Sequence, residues 1–172
     1  MKVFVAAVCA IVFSVNLAIL AQEKDKAPVK SAAFDSLKKL VGDWSSPEGP
    51  HGKPVETKFR LTAGGSVLIE TLFPGTPEEM VTMYHMDGDE LLLTHYCMLG
   101  NQPRLKAEST TEANKISFKS VGGTNMKLTD MHMGQAILTL VDKDRFEADW
   151  CSCSGGKPDG NHHVTLKFTR KK

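Results

Sequence analysis

From position 42 onward the chain alternates apolar and polar residues in short runs, with turn residues between them. Val55 to Thr62 sets Val55, Thr57, Phe59 and Leu61 on one side and Glu56, Lys58 and Arg60 on the other. Ser66 to Phe73, Met80 to Met86, Asp89 to Met98, Arg104 to Thr110 and Lys115 to Val121 follow as further candidate strands. Gln135 to Val141, Arg145 to Cys153 and His162 to Arg170 close the chain. Gly42-Asp43-Trp44 opens an earlier strand, and before it Ser31 can cap a short helix through about Leu40. Gly122 to Gly134 breaks the period and reads as irregular, with room for a helical turn. About ten short strands without a βαβ rhythm predict an all-β, antiparallel fold. Closing into a barrel or stacking as a sandwich would each protect the sheet edges.

The run Glu79 to Arg104 concentrates the unusual side chains. Asp87-Gly88 between two apolar runs predicts a hairpin with those two residues in the loop, which pairs Tyr84 with Leu91. Alternation then puts Tyr84, Leu91, Leu93, His95 and Cys97 on one face. His85, Glu90, Leu92, Thr94 and Tyr96 share the other. Burying Glu90 unpaired is costly, so its face should meet water and the Tyr84–His95 face should look inward.

Composition narrows the class. The chain has 172 residues and a formal net charge of +1, enough for one domain with a real core and no basic excess for nucleic acid. Lys2 and the uncharged apolar run Val3 to Leu20, ending near Ala21, predict a signal peptide over residues 1–21 and an exported, periplasmic or secreted protein. The run is also near the minimum length of a retained anchor. A polar tether follows over 22–30, then one domain over 31–172. No stable membrane insertion is expected once the signal is cleaved. Cys9 leaves with the signal, so Cys97, Cys151 and Cys153 remain, too few for a disulfide framework.

Gly42-Asp43-Trp44 after a short helix, with Arg170 in the last strand, resembles the calycin pattern of lipocalins and fatty-acid-binding proteins. The resemblance implies that Trp44 packs beneath Arg170 and closes one end of an antiparallel barrel of about ten strands. The stretch Glu70 to Arg104 is also similar to a segment of uncharacterised exported bacterial proteins of lipocalin-like type, which implies a fold rather than a reaction. Other lipocalin strand motifs and the two-helix lid of fatty-acid-binding proteins are not evident, so a lipid cargo is not implied.

Candidate chemistry follows from the inward face. Tyr84 and His95 would hydrogen-bond a small, apolar or amphipathic molecule, and Leu93, Cys97 and Trp150 would contact it. Phe59, Leu91, Phe118 and Leu166 would complete the apolar wall. Asn101, Gln102 and Arg104 would gate the mouth, and His132 could reach it from the irregular segment. The competing reading is a filled barrel in which Tyr84 and His95 are hydrogen-bonded core residues. Two other classes remain open. Met131-His132-Met133 and the many methionines suit copper, and a single histidine inside a barrel suits haem, as in nitrobindin-like proteins. His95 and Cys97, two apart on one strand, suit a thiolate–imidazole enzyme.

Overall fold

The computed structural model describes residues 31–172; the expected signal peptide and tether lie outside the described residues. A helix α1 (Ala32–Lys38) precedes ten strands: β1 (Gly42–Ser46), β2 (Val55–Thr62), β3 (Val67–Leu72), β4 (Met80–Asp87), β5 (Glu90–Tyr96), β6 (Gln102–Glu108), β7 (Lys115–Thr124), β8 (His132–Leu140), β9 (Arg145–Ser154) and β10 (Lys157–Arg170). Each strand pairs antiparallel with its sequence neighbours, and β10 returns to β1, so the sheet closes into a barrel. Closure removes the free edges that an open ten-strand sheet would present.

The β4–β5 hairpin differs from expectation in its loop. Met86 pairs with Leu91 and Tyr84 with Leu93, so the two loop residues are Gly88 and Asp89. Gly88 takes a positive φ of 57° while Asp89 does not, which suits a loop with glycine at its first position. The pairing has moved by two residues. A shift of one would have exchanged the faces, but a shift of two preserves them. Tyr84 and His95 therefore point inward, and Glu90 sits outside in an ion pair with Lys106.

Gly122 to Gly134 holds no helix. β7 runs on to Thr124, β8 starts at His132, and only residues 125–131 form the loop between them. The alternation was hidden by Gly122 and Gly123, which lack side chains, and by a bulge where β6 meets β7 beyond Arg104.

One end of the barrel is sealed. Ser31 caps α1 by accepting a hydrogen bond from the Phe34 N–H, and the helix sends Phe34 and Leu37 into the core. Trp44 is fully buried and donates from Nε1 to the Leu40 carbonyl at 2.7 Å. The Arg170 guanidinium lies over the indole, 4.1 Å from its centroid, and donates to the carbonyls of Lys39, Val41 and Lys143. The cation–indole stack and the capped carbonyls tie the first and last strands to the turn that follows α1. A Cβ at residue 42 would stand 2.7 Å from Arg170 Nη1, and φ there is 134°, so glycine is the residue that admits the arginine. Above Trp44, Phe146 packs edge-on against it and stacks on Phe168, filling the lower barrel.

Candidate functional site

Higher in the barrel the core turns polar on one side. Glu70 of β3 is buried, and among the described residues no cation pairs with it. Its two carboxyl oxygens accept from the Tyr84 hydroxyl at 2.8 Å and the Thr57 hydroxyl at 3.1 Å. Burial pushes its pKa up to about 7, and the two hydroxyl bonds only partly oppose that rise. Burial and the neighbouring carboxylate also push Tyr84 well above its ordinary range. Around the barrel, Glu70 pairs with Thr82, and Thr82 with His95. The Thr82 hydroxyl meets His95 Nδ1 at 2.9 Å. Four adjacent strands thus carry an internal polar belt, Thr57–Glu70–Thr82–His95, with Tyr84 bonded across it.

The belt ends at a cavity. At the barrel end opposite Trp44, a void of about 180 Å³ is bounded by Leu72, Phe73 and Met80 on one side and by His95, Cys97 and Leu99 on the next. Met133, Trp150, Val164 and Leu166 complete its walls, with Pro50 and Ser152 at the edge. A cavity of about 150 Å³ with apolar walls stays dry and admits benzene, so this one matches a single ring or a short chain. His95 is its most buried polar residue, 5% exposed, and its ring lies 5.8 Å from that of Trp150. Burial pulls the His95 pKa down from an ordinary 6.5 to about 4, so the imidazole is neutral at physiological pH. Phe73 supports the wall from a left-handed backbone with φ of 54°, held by its N–H donating to the Glu56 carbonyl. A bulky residue in that region is a strained outlier of the kind that collects at binding sites.

The expected site residues therefore divide. His95, Cys97, Trp150 and Leu166 border the cavity together. Tyr84 and Leu93 are inward but lie in the solid core, as do Phe59, Leu91 and Phe118, and the Tyr84 hydroxyl is committed to Glu70. The small inward residues Thr57 and Thr82 are bonded to Glu70 and His95. Asn101 is buried and its amide donates to the Met131 carbonyl, which ties the β5–β6 loop to the β7–β8 loop. Gln102 and Arg104 point away from the cavity, into a groove on the outer wall beside Thr94 and Tyr96. The bulge after Arg104 re-aims this strand relative to β7.

His132 also turns away from the mouth. Its Nδ1–H donates to the Asp130 carbonyl at 2.7 Å, and the ring faces a second outer groove with Cys153. Met133, its neighbour, faces the cavity. Strand alternation thus separates the Met131-His132-Met133 ligand types, and no group of three or more His, Cys, Asp or Glu among the described residues is arranged for a metal ion. No hydrogen bond joins Cys97 to His95 among the described residues; the Cys97 sulfur accepts instead from the Leu99 N–H at 3.5 Å.

Sequence reasoning missed the cavity-wall residues Leu72, Phe73, Met80, Leu99, Met133 and Val164, and it missed Glu70 in the polar layer beneath them. The signal for Glu70 was present: Leu68, Glu70 and Leu72 share a face, so inward leucines carry the carboxylate in with them.

The fold and the sealed Trp44–Arg170 end define an up-and-down antiparallel barrel that is compatible with the calycin class. No model of a known protein family matches the chain, and no curated protein is similar to it in sequence.

Proposed function

We propose that this chain is an exported binding protein that holds a small, largely apolar molecule at the open end of its barrel. The observation that carries the reading is the cavity of about 180 Å³ whose walls are mostly Leu, Met, Phe, Val and Trp side chains, with the neutral imidazole of His95 among them. Apolar walls with few, placed polar groups are what small-molecule sites use. Occupancy would also cover cavity walls that otherwise lack contact partners. The apolar segment after Lys2 supports the exported location.

The roles suggested for Tyr84 and His95 are no longer equal. Tyr84 fixes Glu70 below the site, and His95 meets the cargo. Trp150 and Leu166 supply apolar contact.

The test uses α-methylstyrene as probe. The wild-type protein should gain melting temperature in its presence and show a change in Trp150 fluorescence. Val164→Trp, which fills the cavity from β10, should fold and lose both responses. A wild-type protein that responds to no small apolar probe would reject the reading.

A further inference from the structure

The polarity of the cargo can be taken one step further, from a proton that the core fixes in place. Thr82 is 2% exposed, and among the described residues its hydroxyl has one hydrogen-bond partner, His95 Nδ1. A buried hydroxyl donates when an acceptor is within reach, because an orphaned donor loses its hydration without compensation. Nδ1 is that acceptor only when it carries no proton. A neutral imidazole then bears its one proton on Nε2. His95 is neutral, since burial holds its pKa near 4. The opposite tautomer would leave the Thr82 proton with no acceptor among the described residues.

Nε2 is hydrogen-bonded to no described residue, and the ring borders the cavity, flanked by Trp150. The cavity thus receives an N–H donor at its buried side. The other polar side chains on its wall, Cys97 and Ser152, are half-exposed. We infer that the cargo is a small molecule bearing a hydrogen-bond acceptor, of the ketone, aldehyde or ester class, whose carbonyl oxygen accepts from Nε2–H of His95 while its apolar body lies against Trp150, Met133 and Leu166. This rests on the binding reading above and adds the chemical class of the ligand. A donor-only ligand, such as a primary ammonium, meets an N–H and is rejected. A metal ion at Nε2 would have to displace the same proton.

Acetophenone and α-methylstyrene share one shape and differ only in C=O against C=CH2, so they separate the hydrogen bond from the fit. Their affinities are measured by titration calorimetry on the wild type and on the double variant Thr82→Val/His95→Phe, which replaces both polar partners by apolar groups. The ratio favouring acetophenone should fall by roughly three- to tenfold in the variant, the worth of one neutral hydrogen bond. An unchanged ratio, with both compounds bound, overturns the inference and leaves the cavity reading standing. Binding of neither compound by the wild type overturns both. If the variant does not fold, the nitrogen chemical shifts of His95 in the wild type decide instead. Nε2 should be protonated and Nδ1 unprotonated, and the reverse pattern overturns the inference.

Discussion

The two ends of this barrel are built from the same strands and solve opposite problems. At one end Trp44, Phe146, Phe168 and the helix residues Phe34 and Leu37 join in the buried core, and Arg170 clamps the seam where the last strand meets the first, beside an outer groove that Leu40, Asn114 and Leu140 line. At the other, Leu72, Trp150 and Val164 stand apart around a void with His95 beside them. Between the two lies a polar layer, Glu70 with Tyr84 and Thr57, that fills the middle of the barrel. The contrast teaches that one set of strands can carry a closed seam at one end and a hollow at the other. Aromatic side chains interlock where the chain must close, and apolar walls stand apart where a guest would enter.

Substitutions should expose this contrast, most strongly at the sealed end. Trp44→Ala removes a fully buried indole together with the face on which Arg170 rests. We expect a loss of about 3–5 kcal/mol in urea denaturation. Trp150→Ala, by contrast, removes an indole that already borders empty space, and should cost less than about 2 kcal/mol. Similar losses at the two positions would mean that the open end is packed like the sealed one.

The polar layer makes a second, smaller prediction, in pH. His95 falls from 6.5 to about 4 on folding, so its contribution to stability is complete above 6.5 and is lost as pH drops toward 4. Glu70 rises from 4.5 to about 7, so its contribution is complete below 4.5 and is lost as pH climbs through 7. Between pH 4.5 and 6.5 the two slopes have opposite sign and offset each other, and the wild type should show nearly flat stability from these groups. Glu70→Gln removes one slope. Stability of that variant should then rise by about 2–3 kcal/mol from pH 4.5 to 6.5, read from denaturation midpoints across the window. A flat profile in the variant would show that His95 is not held neutral by burial.

The smallest expected effect belongs to the outer wall. Glu90 forms its ion pair with Lys106 in solvent, and Glu90→Gln should change stability by less than about 1 kcal/mol. Set beside Glu70, it shows that one residue type serves opposite roles on the two faces of the sheet.

That pair of glutamates also shows what could be read in advance. Alternation identified the strands, the all-β class and the inward face of β4 and β5, because a two-residue change in the hairpin loop leaves parity intact. The glycine that admits Arg170 beside Trp44 was picked out through the resemblance to the calycin pattern, since the clamp itself joins residues at opposite ends of the domain. Depth along the barrel was not legible. The period of two says which face a residue occupies and nothing of whether it lies in a filled layer or at a mouth, so Tyr84 and Leu93 were grouped with His95. Treating a carboxylate as outward was right for Glu90, where Lys106 and water meet it. It would have failed for Glu70, where two hydroxyls from neighbouring strands replace the water. The bulge beyond Arg104 and the one between Met133 and Gln135 break strict alternation, and they lie in the segments where Arg104 and His132 were misplaced.

The most direct measurement of the difference between the two ends is a crystal structure under xenon pressure, since xenon enters dry apolar cavities without needing a chemical handle. We expect xenon between Trp150, Met133 and Leu166, beside His95, and none in the packed core between Trp44, Phe146 and Phe168. Xenon absent from that site, or found in the layer around Tyr84 and Glu70, would contradict a barrel that is solid to its middle and open at one end.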